Sequence, residues 1–282
     1  MNQSLHHAEA DFFAQKKEEN NMSDGTIHIN DRDLTYEDVK KLVYTELIPH
    51  AGNEGKLAIA PHESFMDLET IFRLDLKDIV RPGATALVTN GMLQELGVSD
   101  RTFRNECREA ARLNRPGVLQ PLVMVLGGMG MDMENPMGME TPPIFVASTE
   151  GMVQGASAVT YAYFLRDAAE RIGGDFFLLP SSIHEMLLVP DTGSMSVQEL
   201  ETMVRTVNDM EVAPEERLSN HVYHYDARER TVEMGLSWEA NKTKEQAQEK
   251  SSVMEKLGQQ KDRDAMKQPK APKKAKNREE VL

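Results

Sequence analysis

The sequence is poor in residues that cross-link a chain or hold a metal. Of its 282 residues only Cys107 is a cysteine, so neither an intramolecular disulfide nor a cysteine zinc cluster can form within the chain. We predict that this thiol packs inside a helix and does not act as a nucleophile. Such low cysteine usage is typical of a reducing compartment, and we expect a cytoplasmic location.

Long apolar runs and several binding motifs are also missing. No stretch approaches the roughly 18 to 20 apolar residues of a membrane span, and the polar start lacks the order of a secretory signal. The phosphate-binding patterns GxxxxGK and GxGxxG are absent, as are HExxH and paired CxxC. We therefore predict no cofactor and no membrane partner.

Positive charge is scarce outside the C-terminal tail. The net charge is −14, yet residues 240–282 carry 12 Lys and Arg against 7 Asp and Glu. The remaining chain is strongly acidic and repels nucleic-acid phosphates. We expect any nucleic-acid contact to be weak, nonspecific and confined to the tail.

Composition divides the chain into five segments. Met22 leaves open whether Met1 or Met22 is the true start. The predicted segments are a disordered leader at 1–24, an N-terminal α/β subdomain at 25–126, a linker rich in Met, Gly and Pro at 127–143, a C-terminal α+β subdomain at 144–235, and a charged, mostly disordered tail at 236–282.

Helical periods dominate the first half, for which we predict a helical subdomain. The apolar spacing predicts helices over 35–48 and 64–76, and Ser99 is expected to cap a further helix that reaches Leu113. A buried strand is predicted at 84–89, and a short helix from Asn90 is expected to stop at Gly97.

The second half reads as a mostly antiparallel sheet covered by helices, so the predicted fold class is α+β. The connection at 180–182 is too short for a parallel crossover and predicts a hairpin. Predicted strands lie at 144–147, 156–161, 176–179, 183–189 and 221–225, and predicted helices at 164–172 and from Ser196 to about Val207.

Two groups of residues could carry chemistry. Ser181, Ser182, His184 and Glu185 place hydroxyls, an imidazole and a carboxylate close together, which would suit a hydrolase if a serine met the histidine. In the alternative interpretation the serines complete a tight turn and His184 or Glu185 satisfies buried polar groups.

His62 forms the second group, since it precedes Glu63 and Asp67. With His184 it could supply metal ligands across a subdomain interface, although these polar residues could equally cap the predicted helix near Ser64.

Several runs resemble an uncharacterised bacterial family defined by a domain of unknown function. The most specific are PSSIHE, from Pro180 to Glu185, and the YxYD-like run from Tyr223 to Asp226. Further runs are Pro61-His62, Phe65 to Leu68, Leu87 to Asn90, Leu96 to Val98 and Val212 to Ser219. The resemblance covers about Gly55 to Asp226. It implies a shared architecture, no known activity and an association with mobile genetic elements.

These observations favour a non-enzymatic cytoplasmic module whose partner is another protein. An acidic body with mobile ends suits association, and no catalytic pattern is complete. The alternative is a hydrolase that uses Ser182 and His184, or a metal held at His62 and His184.

Overall fold

The computed structural model describes residues 25–128, 143–245, 247, 248 and 250. The predicted leader, most of the predicted linker and most of the predicted tail lie outside these residues. The described chain has an α+β fold, with helices and antiparallel sheets. Within it, no helix combines the length and apolar character needed to cross a bilayer.

The chain forms two compact units, Met1–Leu236 and Ser237–Leu282. In the second unit residues 237–245 are helical. The elements below belong to the first unit, and the subdomain boundary proposed at 127–143 stays a prediction.

Twelve strands and seven helices are described in the first unit. The strands are β1 (Thr26–Ile29), β2 (Arg32–Thr35), β3 (Val43–Pro49), β4 (His62–Phe65), β5 (Leu68–Asp75), β6 (Thr85–Leu87), β7 (Gly117–Pro121), β8 (Phe145–Thr149), β9 (Phe176–Pro180), β10 (Met186–Pro190), β11 (Tyr223–Asp226) and β12 (Thr231–Met234). The helices are α1 (Tyr36–Leu42), α2 (Glu54–Leu57), α3 (Asn90–Glu95), α4 (Asp100–Asn114), α5 (Leu122–Gly128), α6 (Ala162–Ile172) and α7 (Val197–Glu211).

The first half of the chain builds a four-stranded antiparallel sheet around β5. Strand β3 pairs along one side of β5, while β4 and β6 pair with successive parts of the other side. Helix α4 covers the sheet, and Phe103 and Cys107 on α4 are fully buried in the same apolar cluster as Phe72 of β5. One face of the sheet is therefore a packed core.

The second half builds a six-stranded antiparallel sheet in the order β12-β11-β9-β10-β8-β7. Strands β9 and β10 form the predicted hairpin, with Leu179 opposite Leu187. Strand β7 precedes the predicted linker and pairs with β8 at the sheet edge. Leu47 of β3 and Leu68 of β5 are buried in the core of this second half, so the two sheets share an apolar cluster.

The predicted helical N-terminal subdomain is not confirmed, since this region is largely strand. The predicted helix at 35–48 begins as expected, with a capping box between Thr35 and Asp38, but it ends at Leu42. The chain continues as β3, which is buried on both faces. The β-branched and aromatic run from Val43 to Thr45 favours a strand. Because both faces of β3 are buried, its sequence lacks the alternation of apolar and polar residues that usually identifies a strand.

The prediction of a helix at 64–76 is also wrong. These residues belong to the hairpin of β4 and β5, which turns at Met66 and Asp67. Met66 takes a left-handed φ of 57°. Six of the eight residues of β5 are buried, and its dense apolar run mimics a helical stripe.

The strand predicted at 156–161 is a 3₁₀ helix, Ala156–Thr160, whose small residues Ala156 and Ala158 are fully buried. Other boundaries are confirmed. Ser99 caps α4, Gly97 takes a left-handed φ of 68° after α3, and Ser196 and Glu199 form the capping box of α7.

Candidate functional site

The PSSIHE run forms the connection between β9 and β10. The Ser182 hydroxyl accepts a 3.1 Å hydrogen bond from the backbone N–H of His184. The Ser181 hydroxyl donates a 3.3 Å hydrogen bond to Glu185 Oε1. Both serines therefore stabilise the turn itself, as short hydroxyl side chains commonly do.

The imidazole of His184 is held between two other segments. Its Nδ1 accepts a 3.0 Å hydrogen bond from the backbone N–H of Gln154. Because a backbone N–H can only donate, the neutral ring carries its proton on Nε2, which lies 3.3 Å from Glu216 Oε1. The hydrogen bonds of the ring thus go to Gln154 and Glu216 and not to Ser181 or Ser182.

His62 lies elsewhere, on β4. Its Nδ1 is 2.9 Å from the carbonyl oxygen of Ala60. Across the part of the chain that the structure describes, no group of three or more His, Cys, Asp or Glu residues could hold a metal ion. No hydrogen bond or ion pair joins His62 to His184 there.

Three of the runs that carry the family resemblance meet at Asp67. Its carboxylate accepts a 2.7 Å hydrogen bond from the Ser219 hydroxyl and a 2.6 Å hydrogen bond from the Tyr223 hydroxyl. Burial, and secondly the bond to Asp67, raise the pKa of Tyr223 above its ordinary value. These two hydrogen bonds to Asp67 therefore link the β4–β5 hairpin to the second sheet.

A groove of about 970 Å³ lies between β4, α4 and the residues that lead into α6. All four residues of β4 line it, and since successive strand side chains point to opposite faces, the groove wraps the edge of the strand. The lining residues are His62, Glu63, Ser64, Phe65, Thr70, Arg104, Arg108, Glu109, Arg112, Thr160, Tyr161, Ala162 and Tyr163.

Three arginines of α4 form a row along this groove. Arg104, Arg108 and Arg112 are four residues apart, a spacing that puts them on one side of a helix with about 6 Å between neighbours. About 100° around the helix from this row, Phe103, Cys107 and Ala111 are buried. The amphipathic pattern of the helix thus presents the row to the groove.

Each arginine of the row already contacts a carboxylate. Arg108 donates through Nε (2.9 Å) and Nη2 to the carboxylate of Glu63 on β4. Arg104 donates through the same two nitrogens to Asp100, and its Nη1 lies 3.9 Å from Glu63 Oε1. Among residues 25–128 and 143–245, Nη1 of Arg108 has no hydrogen-bond partner, so this guanidinium can donate further bonds.

Arg112 stands at the aromatic end of the groove. It donates to Glu109, and its guanidinium carbon lies 5.0 Å from the ring centroid of Tyr163. Tyr163 stacks on Tyr161 with 6.1 Å between ring centroids. The bond to Glu109 raises the pKa of Arg112, so its guanidinium stays charged.

Among the residues that the structure describes, none pairs with the outer edge of β4. Within the described ranges β4 pairs only with β5. The pair Phe65 and Leu68 closes the two-residue turn. In an antiparallel hairpin every second residue of β4, starting with the one next to this pair, points its backbone N–H and C=O groups away from β5. Those residues are Ser64 and His62, which make no other backbone hydrogen bond to a described residue. The groove therefore contains backbone N–H and C=O groups that no described residue pairs.

The arginine row was missed at the level of the sequence. Its signal was the four-residue spacing of Arg104, Arg108 and Arg112 within a helix that was predicted correctly. The surface opposite the row could not be predicted, because the helix predicted at 64–76 included the second half of β4.

Comparisons with known proteins give one match. A family model described as a family of unknown function, DUF5688, matches residues 8–227. No curated protein and no solved structure matches the chain.

Proposed function

The chain belongs to the DUF5688 family, a family of unknown function, and we propose that it is a non-catalytic protein that binds an acidic segment of a partner protein in the groove between α4 and β4. The observation that carries this proposal is the row of Arg104, Arg108 and Arg112 along the groove. A cytoplasmic location and an association with mobile genetic elements belong to the same proposal.

The charge distribution supports an anionic ligand. The chain carries a net charge of −14, so its surface repels acidic partners in general. The groove is a local exception, since its lining carries three guanidinium groups against the two carboxylates of Glu63 and Glu109, and arginine binds carboxylates through paired, charge-assisted hydrogen bonds. An acidic segment would share Arg104 and Arg108 with Glu63.

The surroundings of His184 support binding over hydrolysis. Both ring nitrogens of His184 lie against groups of the fold, Gln154 and Glu216. The hydroxyls of Ser181 and Ser182 are engaged within their own turn. A nucleophile needs a base within hydrogen-bond reach, and no contact of His184 supplies it here.

The proposal is tested by the affinity of the full chain for fluorescein-labelled hexaglutamate, measured by fluorescence anisotropy at low and high salt. The variant combines Arg104→Gln and Arg108→Gln, which removes two positive charges and leaves polar side chains at both positions. Arg205→Gln is the control, since Arg205 is exposed on α7 and lies outside the groove.

We expect the wild type and Arg205→Gln to bind equally and the double variant to bind at least about tenfold more weakly, since it loses charged hydrogen-bond donors. Binding should also weaken as salt rises, because charge attraction is screened. No binding by the wild type, or equal binding by the double variant, would refute the proposal.

A further inference from the structure

We infer that the acidic segment binds as an extended strand that adds to the open edge of β4. This inference rests on the proposed function, and it names the conformation of the partner and the backbone groups that receive it. The observation behind it is the juxtaposition of an unpaired strand edge with the arginine row in one groove.

The backbone of β4 favours an extended ligand. Ser64 and His62 turn their N–H and C=O groups away from β5, toward the groove that all of β4 lines. An exposed strand edge is a template for another extended chain, and backbone hydrogen bonds to such an edge provide affinity without regard to sequence.

The spacing of the arginines also favours an extended ligand. Neighbours in the row of Arg104, Arg108 and Arg112 are about 6 Å apart along the helix axis. Residues two apart in an extended strand are separated by about 6.6 to 6.8 Å. Acidic side chains at every second position of a bound strand therefore match the row, whereas consecutive acidic residues would point to both faces of the strand.

Glu63 shows which face the acidic residues should take. Its side chain leaves β4 on the face opposite those of His62 and Ser64, and it is this carboxylate that Arg108 holds. A bound strand that directs its carboxylates to the same face would meet the same arginines.

The groove is long enough for such a ligand. A second cleft of about 660 Å³ shares His62 and Arg104 with the groove and extends the surface past the start of β4. Four residues of β4 span about 13 Å, and the second cleft adds room for residues that precede or follow the paired part.

A nucleic acid fits the same surface less well. Phosphate groups can accept hydrogen bonds from the backbone N–H groups of a strand edge but cannot donate to its C=O groups, and bases bind best by stacking on exposed aromatic rings. Tyr161 is only 3% exposed and stacks on Tyr163, with its hydroxyl 3.0 Å from Thr45 Oγ1. It is part of the fold and offers no open platform for a base.

The test uses the wild-type full chain and three labelled nonapeptides with glutamate at every second position and threonine between. One is unmodified, one is N-methylated at the glutamate amides, and one is N-methylated at the threonine amides. All three carry the same charge. In a strand the amides of alternate residues face opposite edges, so only one methylated set can face β4.

We expect one methylated peptide to bind about tenfold or more weakly than the parent, through lost backbone hydrogen bonds, and the other to bind within about twofold. Loss confined to the threonine-methylated peptide would indicate an antiparallel strand, because those residues lie opposite His62 and Ser64. Loss confined to the glutamate-methylated peptide would indicate a parallel strand.

Other outcomes overturn the inference. If both methylated peptides bind as tightly as the parent while the Arg104→Gln, Arg108→Gln variant binds none of them, the proposal of an anion-binding groove stands and strand addition is refuted. If the parent peptide does not bind, or binds the variant equally, the proposed function fails as well. Tighter binding of labelled oligothymidylate than of the parent peptide would identify a nucleic-acid surface instead.

Discussion

His184 accepts a 3.0 Å hydrogen bond through Nδ1 from the backbone N–H of Gln154, a residue with a left-handed φ of 53°. Non-glycine residues enter this region at a cost of about 1 to 2 kcal/mol and need support from their surroundings. The side chain of Gln154 receives further support, since its Oε1 accepts a 2.6 Å hydrogen bond from the Tyr44 hydroxyl. The imidazole is thus one of the groups that hold this turn.

The first prediction is that His184→Ala lowers the free energy of unfolding by about 1 to 3 kcal/mol, since the Gln154 N–H loses its acceptor. His184→Asn should cost less, because its side-chain oxygen can stand near the position of Nδ1. Urea denaturation followed by circular dichroism measures both. Equal losses would show that this hydrogen bond does not support the turn.

The second prediction concerns Gly155, which follows the strained turn. A Cβ at Gly155 would lie 2.2 Å from Ser148 Oγ and 2.4 Å from the backbone nitrogen of Thr149. Gly155→Ala should therefore cost about 2 kcal/mol or more, since part of the clash is with backbone. Gly55→Ala in α2 is the control, because a Cβ there meets nothing within 4 Å. Equal changes in the melting temperature of the two variants would contradict the prediction.

The third prediction addresses the link between the two halves of the chain at Asp67. Tyr223→Phe removes a 2.6 Å hydrogen bond to this carboxylate and should cost about 1.5 to 3 kcal/mol. Tyr225→Phe on the same strand is the matched control and should change stability by less than about 0.5 kcal/mol, because the described residues offer its hydroxyl no hydrogen bond. A similar effect of both changes on the urea midpoint would argue against the link.

Stability should also fall in strong alkali. The folded-state pKa of Tyr223 is raised above the ordinary tyrosine value of 10.0, so the folded chain keeps a proton there that the unfolded chain releases. The stabilisation is complete below pH 10 and is lost as pH rises from 10 toward the folded pKa. Other buried tyrosines act in the same direction, so Tyr223→Phe should flatten the decline only in part.

Features of the fold and of the groove could be predicted from the sequence where their signal lay within a few neighbouring residues. The capping box of Ser196 and Glu199 lies within one turn, and the structure confirms it. The extent of β3 and β5 depends on burial on both faces by partners distant in sequence, which no local pattern records. Only one wall of the groove could therefore be predicted, because the helix that carries Arg108 was predicted and the strand that carries Glu63 was not.

A further prediction is that Cys107 resists alkylation in the folded chain. The residue has no exposed surface, and burial raises the pKa of its thiol to about 12. The reactive thiolate is therefore rare at neutral pH, and the sulfur is shielded from reagents. Mass spectrometry after iodoacetamide treatment should show little modification of the native chain and complete modification in urea. Rapid native modification would contradict the packing role.

The last prediction uses the carboxylate that already occupies the groove. Glu63 accepts bonds from Arg108, and Arg104 Nη1 lies 3.9 Å from it, so a bound acidic segment must share these cations with it. Glu63→Gln removes this competing charge and keeps the side-chain shape. It should therefore raise the affinity for hexaglutamate by about three- to tenfold, the effect of one nearby charge partly exposed to water.

Glu215→Gln is the control, since Glu215 is exposed in the 3₁₀ helix at 214–216, outside the groove. Anisotropy titrations at two salt concentrations compare the variants. A gain for Glu63→Gln alone that shrinks at high salt would place the ligand beside Arg108, whereas equal gains for both variants would mean that only the net charge of the chain had changed.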